Sequence, residues 1–267
     1  DYDETDDIDL AGLEPLIALP GSPGNVVPVR EVAGRPIYQA YIGSSANPGL
    51  RDFAVPALMV TGRQVPDHIS FDVNPTSRQL IENLIEMGLM DALIKSGARF
   101  HQAGCNGCIG MGQAPATGKI SLRTVPRNFP GRSGTKEDQV YLCSPETAAA
   151  SALTGVITDP RTLALPYPGF TDPAGLKINT ALLVPPDADD GPVALEKGPN
   201  IKPLPDFEAL PDHLEGPVLL KTANDVSTDE IMPAGAAVLP YRSNIPEISR
   251  FAFTRIDEDY PERAKAC

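Results

Sequence analysis

The sequence predicts an α/β domain built from parallel βαβ units. Short apolar stretches alternate with helical patterns over the first ~160 residues, a glycine-flanked C-x-x-C sits where one strand should end, and the alternation then stops in a proline-rich stretch. The first ~35 residues are proline-rich and poor in strand signals. "IYQAYIGSS" then reads as a buried strand ending in a turn of small residues. Asn47 and Pro48 suit a helix start running towards Val60, with Pro56 as a kink. "HISFDV" is the next strand. From Ser77 onward Leu80, Ile81, Leu84, Ile85, Leu89 and Leu93 recur at helical spacing until Gly97, which predicts one continuous helix. "ARFHQA" and "KISLRT" are further strands, and "SPETAAASALTG" is a helix with Ser144 as N-cap, Pro145 at its first position and Gly155 as its stop.

From Asp159 to about Glu215 proline is dense and apolar periodicity weak, as in a long connection laid over a surface; only short segments there, such as "INTALLVP", suit strand pairing. "GPVLLKTANDVSTDEIMPAG" resumes as strand and loop. The chain ends at Cys267 without a finished second core, so it reads as a fragment. The boundaries are a first domain over 1–160 with its lead-in at 1–35, a linker over 161–215, and a partial domain over 216–267.

Composition narrows the partners. With 267 residues, 42% of them hydrophobic, the chain can bury a substantial core. Its formal net charge of −13 opposes binding to phosphate backbones and anionic lipid surfaces. No apolar run reaches the ~18 residues of a membrane span, and the acidic "DYDETDDIDL" is unlike a signal peptide. The reading is cytoplasmic. Four cysteines in a chain this long make no disulfide framework, and a C-x-x-C in that compartment points to metal or redox chemistry.

Two constellations carry chemistry. In "HQAGCNGCIGMGQ", Cys105 and Cys108 stand among glycines, which let backbone amides approach a ligand closely. Zinc is a poor fit, because no second ligand pair lies at zinc-finger spacing. In "RNFPGR", Arg127 and Arg132 flank a Pro-Gly turn, and two guanidiniums on one loop suit a di- or tricarboxylate. Alone, each constellation also has a plainer reading, as a redox pair and as two solvated loop arginines.

Taken in order and spacing, "YIGSSAN", "GCNGCIG", "RNFPGR" and "SPETAAASALTG" resemble the third domain of the aconitase and isopropylmalate isomerase family of iron–sulfur hydro-lyases, and "VSTDEIMPAG" resembles the start of that family's swivelling domain. The long proline-rich connection is closer to the aconitases. The resemblance implies a three-layer parallel or mixed sheet flanked by helices. It implies an aconitate hydratase that interconverts citrate and isocitrate through cis-aconitate, using a 4Fe–4S cluster held by Cys105 and Cys108 on a ledge to which the loop glycines give room and backbone amides. Arg127, Arg132 and Asp229 would bind the tricarboxylate. The remaining domains, on this or another chain, would be the protein partners and would supply the acid–base groups.

The pattern departs at one cluster corner, where Ser45 stands in place of the family's third cysteine. Three possibilities follow: Ser45 ligates weakly, two cysteines and another group anchor the cluster, or no cluster is held. Cys143 is a candidate substitute ligand or a packed core thiol; Cys267 is incidental. Pro126 replaces the asparagine that precedes the first arginine in the family, and Glu230 stands where many members have histidine. His101 lies nearest the cysteine loop, either near the site or satisfied in the core, and His68 and His213 fall on loop surfaces. The alternatives are a related hydro-lyase acting on isopropylmalate, homoaconitate or methylcitrate, and a cluster-free carboxylate- or RNA-binding module.

Overall fold

The computed structural model describes residues 2–43, 45–186, 191, 194–235 and 237–267. The chain divides into two compact units, residues 1–182 and 183–267. The first holds a seven-stranded mixed sheet of order β2-β1-β7-β6-β3-β4-β5. Its strands are β1 (Leu16–Ala18), β2 (Val26–Pro28), β3 (Gln39–Ile42), β4 (Ser70–Val73), β5 (Arg99–Phe100), β6 (Ile120–Arg123) and β7 (Gln139–Cys143). The five strands from β3 to β7 are mutually parallel, and β1 and β2 add an antiparallel edge.

Four helices, α1 (Leu50–Val60), α2 (Arg78–Glu86), α3 (Leu89–Lys95) and α4 (Pro145–Thr154), pack on one another and cover one face of the sheet. The strand alternation explains which side chains they cover. Ala40, Ile42, Phe71, Val73, Leu122 and Tyr141 lie under the helices with Phe53, Leu84 and Leu93 in one continuous apolar core. The intervening positions, Gln39, Tyr41, Asp72, Ser121 and Arg123, are also buried, but beneath a layer of loops on the opposite face.

Capping chemistry sets the helix ends. The Ser77 hydroxyl accepts from the Leu80 N–H and that of Ser144 from the Thr147 N–H, and Gly155 closes α4 with φ +76°. The expected single helix from Ser77 to Gly97 is in fact two, because Gly88, at φ +70°, ends α2 in a left-handed turn before α3 begins. Helix α1 starts at Leu50 after a Gly49 N-cap, later than Asn47–Pro48 suggested, and Pro56 lies inside it.

The lead-in, expected to be poor in strands, holds β1 and β2, three residues each, too short to display a period of two. Strand β7 is an addition to the expected set, although "QVYLC" is an apolar run of strand-forming residues. The segments "INTALLVP" and "GPVLLK" form no strand among the described residues, as apolar content alone cannot supply a partner edge. In the second unit the described elements are short helices, among them α5 (Thr228–Ile231), α6 (Ile245–Ile248) and α7 (Tyr260–Ala266), with Phe253 edge-on to Tyr260 at 5.0 Å.

Within the first unit, the proline-rich stretch after α4 is pinned to the helices. The Asn83 side chain pairs with the backbone of Lys177 in both directions, Oδ1 accepting at 2.9 Å and Nδ2 donating at 3.1 Å, and Tyr167 bonds Arg51 and Glu146.

Because Phe71 is 1% exposed under the helices, Phe71→Ala should lower unfolding stability by about 3–5 kcal/mol. Urea titration followed by circular dichroism measures this.

Candidate functional site

The site begins below the loop layer, with Arg123 at the end of β6. The alternation that buries Leu122 under the helices sends Arg123 to the other face, where it has no exposure to solvent. A guanidinium so placed must have its N–H groups satisfied. Nε donates to Ser121 Oγ at 3.0 Å, Nη2 to Gln39 Oε1 at 2.8 Å, and Nη1 to the Gly107 carbonyl at 2.8 Å. Nη2 also donates to the Gln113 carbonyl at 2.5 Å, and the Tyr41 ring stacks beneath at 4.7 Å. Burial pulls the Arg123 pKa down to about 10, so it stays charged at neutral pH. One side chain thus ties β3 and β6 to the cysteine loop at Gly107 and Gln113.

Asn74 and Asp72 extend this base. Tyr41 Oη donates to Asn74 Oδ1 at 2.6 Å, and Asn74 Nδ2 donates to the Gln102 carbonyl at 2.7 Å, just upstream of the cysteines. Fully buried Asp72 accepts from Gln39 Nε2 at 2.9 Å and Ser70 Oγ at 2.6 Å, and its Oδ1 lies 2.9 Å from His101 Nε2. With Asp72 accepting there, a neutral His101 carries its proton on Nε2.

Two glycines let the loop settle onto this support. A Cβ on Gly107 would overlap the Tyr41 hydroxyl, and one on Gly110, at φ +77°, would overlap the Ser133 carbonyl. Both therefore have a packing role, beside the room for a ligand that the sequence suggested.

On top of the loop, Cys105 Sγ lies 3.6 Å from Cys108 Sγ and 3.3 Å from Ser45 Oγ. Cys105 is exposed and Cys108 is buried. Arg132 reaches Cys108 from the following turn, Nη2 donating to the sulfur at 3.6 Å and Nε to the Cys108 carbonyl at 3.3 Å, while Ser133 Oγ donates to the same carbonyl at 3.0 Å. Burial pushes the Cys108 thiol pKa up, and the Arg132 hydrogen bond works against that rise.

The structure therefore brings together Ser45, Cys105, Cys108 and Arg132. Arg127 lies on the same loop, ahead of the Phe129–Arg132 turn, and is half-buried. Asp229 is buried in the second unit, its N–H bonded to the Ser227 hydroxyl, and Glu230 completes a capping box with Ser227. Cys143 belongs to the face under the helices, with its thiol held protonated by burial; it lies across the sheet from the cysteine loop, which removes it as a substitute ligand. His101 is satisfied by Asp72, as strand phase allowed.

Sequence reading missed the support: Gln39, Asp72, Asn74, Arg123 and Ser133. Its signal was a polar residue at every second position of three neighbouring apolar strands, in "QAY", "SFD" and "SLR".

Residues 30–155 match the model of the aconitase family (aconitate hydratase). This segment belongs to the aconitase family. Among the relatives of the chain is 3-isopropylmalate dehydratase large subunit 1 of Methanopyrus kandleri, 44% identical over 156 residues, which are 58% of this chain and 37% of that protein. The methanogen homoaconitase large subunit of Methanocaldococcus jannaschii is 38% identical over 154 residues, 57% of this chain and 37% of that protein. The 3-isopropylmalate dehydratase large subunit of Geobacter sulfurreducens is 34% identical over 161 residues, 60% of this chain and 38% of that protein. The chain thus spans less than two fifths of the length of these curated relatives. No helix among the described residues is long and apolar enough to cross a membrane.

Two predictions follow from the geometry. Arg123→Met leaves the Gly107, Gln113 and Gln39 acceptors without their donor and should cost roughly 2–4 kcal/mol, with faster hydrogen exchange confined first to residues 105–113. Asp138, buried just ahead of β7, has its pKa raised by burial from 3.8 to about 6. The folded state then holds this proton more tightly than the unfolded chain, so stability is greatest below pH 4 for this group and falls as pH rises through about 6. Asp138→Asn should flatten that part of the stability profile, measured by denaturant midpoints between pH 4 and 7.

Proposed function

We propose that this chain is the cluster-bearing portion of a hydro-lyase that removes water from, and returns it to, a 2- or 3-hydroxy di- or tricarboxylate of the isopropylmalate or homoaconitate class. The observation that carries this reading is the convergence of Ser45, Cys105, Cys108 and Arg132 above a buried guanidinium. The relatives' names favour these substrates over citrate and isocitrate, which the proline-rich connection alone had suggested.

The donor set fits a 4Fe–4S cluster with an oxygen at one corner. Two thiols and a hydroxyl face one another, with a guanidinium against the buried sulfur. Among the described residues no three His, Cys, Asp or Glu side chains converge on a point, so Ser45 is needed to complete the set. When bound, the cluster supplies a Lewis-acidic iron that polarises the departing hydroxyl.

The chain's own residues do the rest of what this segment contributes. Cys105 and Cys108 hold two corners as thiolates, and Arg132 steadies the second by its hydrogen bond to sulfur. Arg127 and Arg132, on one loop, would orient the carboxylates of the anion against an otherwise acidic chain. Ser45 is the weak corner, because a serine hydroxyl resists deprotonation far more than a thiol. Proton transfer falls to groups on the remaining domains, so the 267 residues by themselves should show no turnover.

Anaerobic reconstitution with iron and sulfide tests the reading. A broad visible absorbance should develop, vanish in Cys105→Ser and Cys108→Ser, and become more resistant to chelators in Ser45→Cys. Absence of that absorbance in both the native chain and Ser45→Cys would sink it.

A further inference from the structure

A cavity that shares no residue with the cysteine and arginine loops opens where the proline-rich stretch meets α1 and α4. It measures about 460 Å³, within the range of small-molecule sites. Most of its lining is apolar. Met59 of α1 lines it together with Leu163 and Leu165, and Pro160, Pro166 and Tyr167 add ring surfaces. Water held against such walls gains few hydrogen bonds, so an apolar ring that displaces it gains affinity.

Two charged side chains also line the cavity, Glu146 from the first turn of α4 and Arg161 from the proline-rich stretch. Each is only partly committed within the protein. Glu146 Oε1 accepts from Arg51 Nη1 at 3.3 Å and from the Tyr167 hydroxyl at 3.4 Å, while Oε2 takes no donor among the described residues. Arg161 Nη2 donates to Asp159 Oδ2 at 2.7 Å and Glu14 Oε2 at 3.4 Å, and Nε donates to Asp159 Oδ1 at 3.1 Å; Nη1 has no acceptor among the described residues. A simple carboxylate entering here would meet the charges of Glu146, Asp159 and Glu14, and a simple amine those of Arg51 and Arg161. A zwitterion answers both signs.

We propose that this cavity is a binding site for a free aromatic α-amino acid, with its ring against Leu163, Leu165 and Tyr167, its ammonium on Glu146 Oε2 and its carboxylate on Arg161 Nη1. The site is independent of the hydro-lyase reading. Glu146 belongs to α4 and Arg161, Leu163 and Leu165 to the proline-rich stretch, so the bound amino acid fastens that stretch to the helix.

The test is a titration of the full chain, labelled at its methionine and leucine methyl groups, with L-phenylalanine followed by NMR. The methyl signals of Met59, Leu163 and Leu165 should move on one common binding curve with a Kd of about 1 mM or tighter. Leucine should bind more weakly and glycine more weakly still, since each fills less of the cavity. Phenylalaninamide, which lacks the carboxylate, and N-acetylphenylalanine, which lacks the ammonium, should each bind about fivefold more weakly than phenylalanine. In Arg161→Gln the free acid should lose its advantage over the amide, and in Glu146→Gln its advantage over the acetylated form. N-acetylphenylalaninamide binding as tightly as phenylalanine would mark the cavity as a groove for a protein segment and overturn the proposal. So would the lack of a common curve for the three methyl signals, or glycine or leucine binding as tightly as phenylalanine. The ligand series is read on the native chain, so a variant that failed to fold would not spare the proposal.

Discussion

The buried guanidinium of Arg123 organises the loop-covered face of the sheet. Arg123 is enclosed between the strands and the loop layer, and its enclosure is tolerable only because Ser121, Gln39 and the carbonyls of Gly107 and Gln113 take up its donors. Those carbonyls belong to the loop that carries the cysteines. Desolvation of the guanidinium and folding of the loop therefore reinforce each other, since neither is satisfied without the other. Tyr41, stacked against the cation and bonded to Asn74, fills the space that Gly107 leaves open.

That support explains how a glycine-rich loop can present two thiols in a defined arrangement. Gly107 and Gly110 flank Cys108, and each is pressed onto a fixed partner, Tyr41 on one side and the Ser133 backbone on the other. Cys108 is consequently the buried sulfur and Cys105 the exposed one.

Isopropylmalate dehydratase and homoaconitase large subunits share this segment with the chain at 34–44% identity. The matched family segment, residues 30–155, takes in both the cysteine loop and the loop of Arg127 and Arg132.

The sequence by itself determined the parallel core of the first unit and the capped helix after Ser144, and it marked the cysteine and arginine loops as the candidate site. These signals are local: period-two and helical repeats, Ser-Pro and Gly punctuation, and two motifs at short range. Only the tertiary structure decided which polar strand residues lie under the loop, since Gln39, Asp72 and Arg123 are far apart in sequence and meet through strand order. It alone placed Ser45 against Cys105 across 60 residues and turned Cys143 to the opposite face. It also split one helical repeat at Gly88 and left "GPVLLK" unpaired, because a periodic pattern states what a segment can form while its partners settle what it does form.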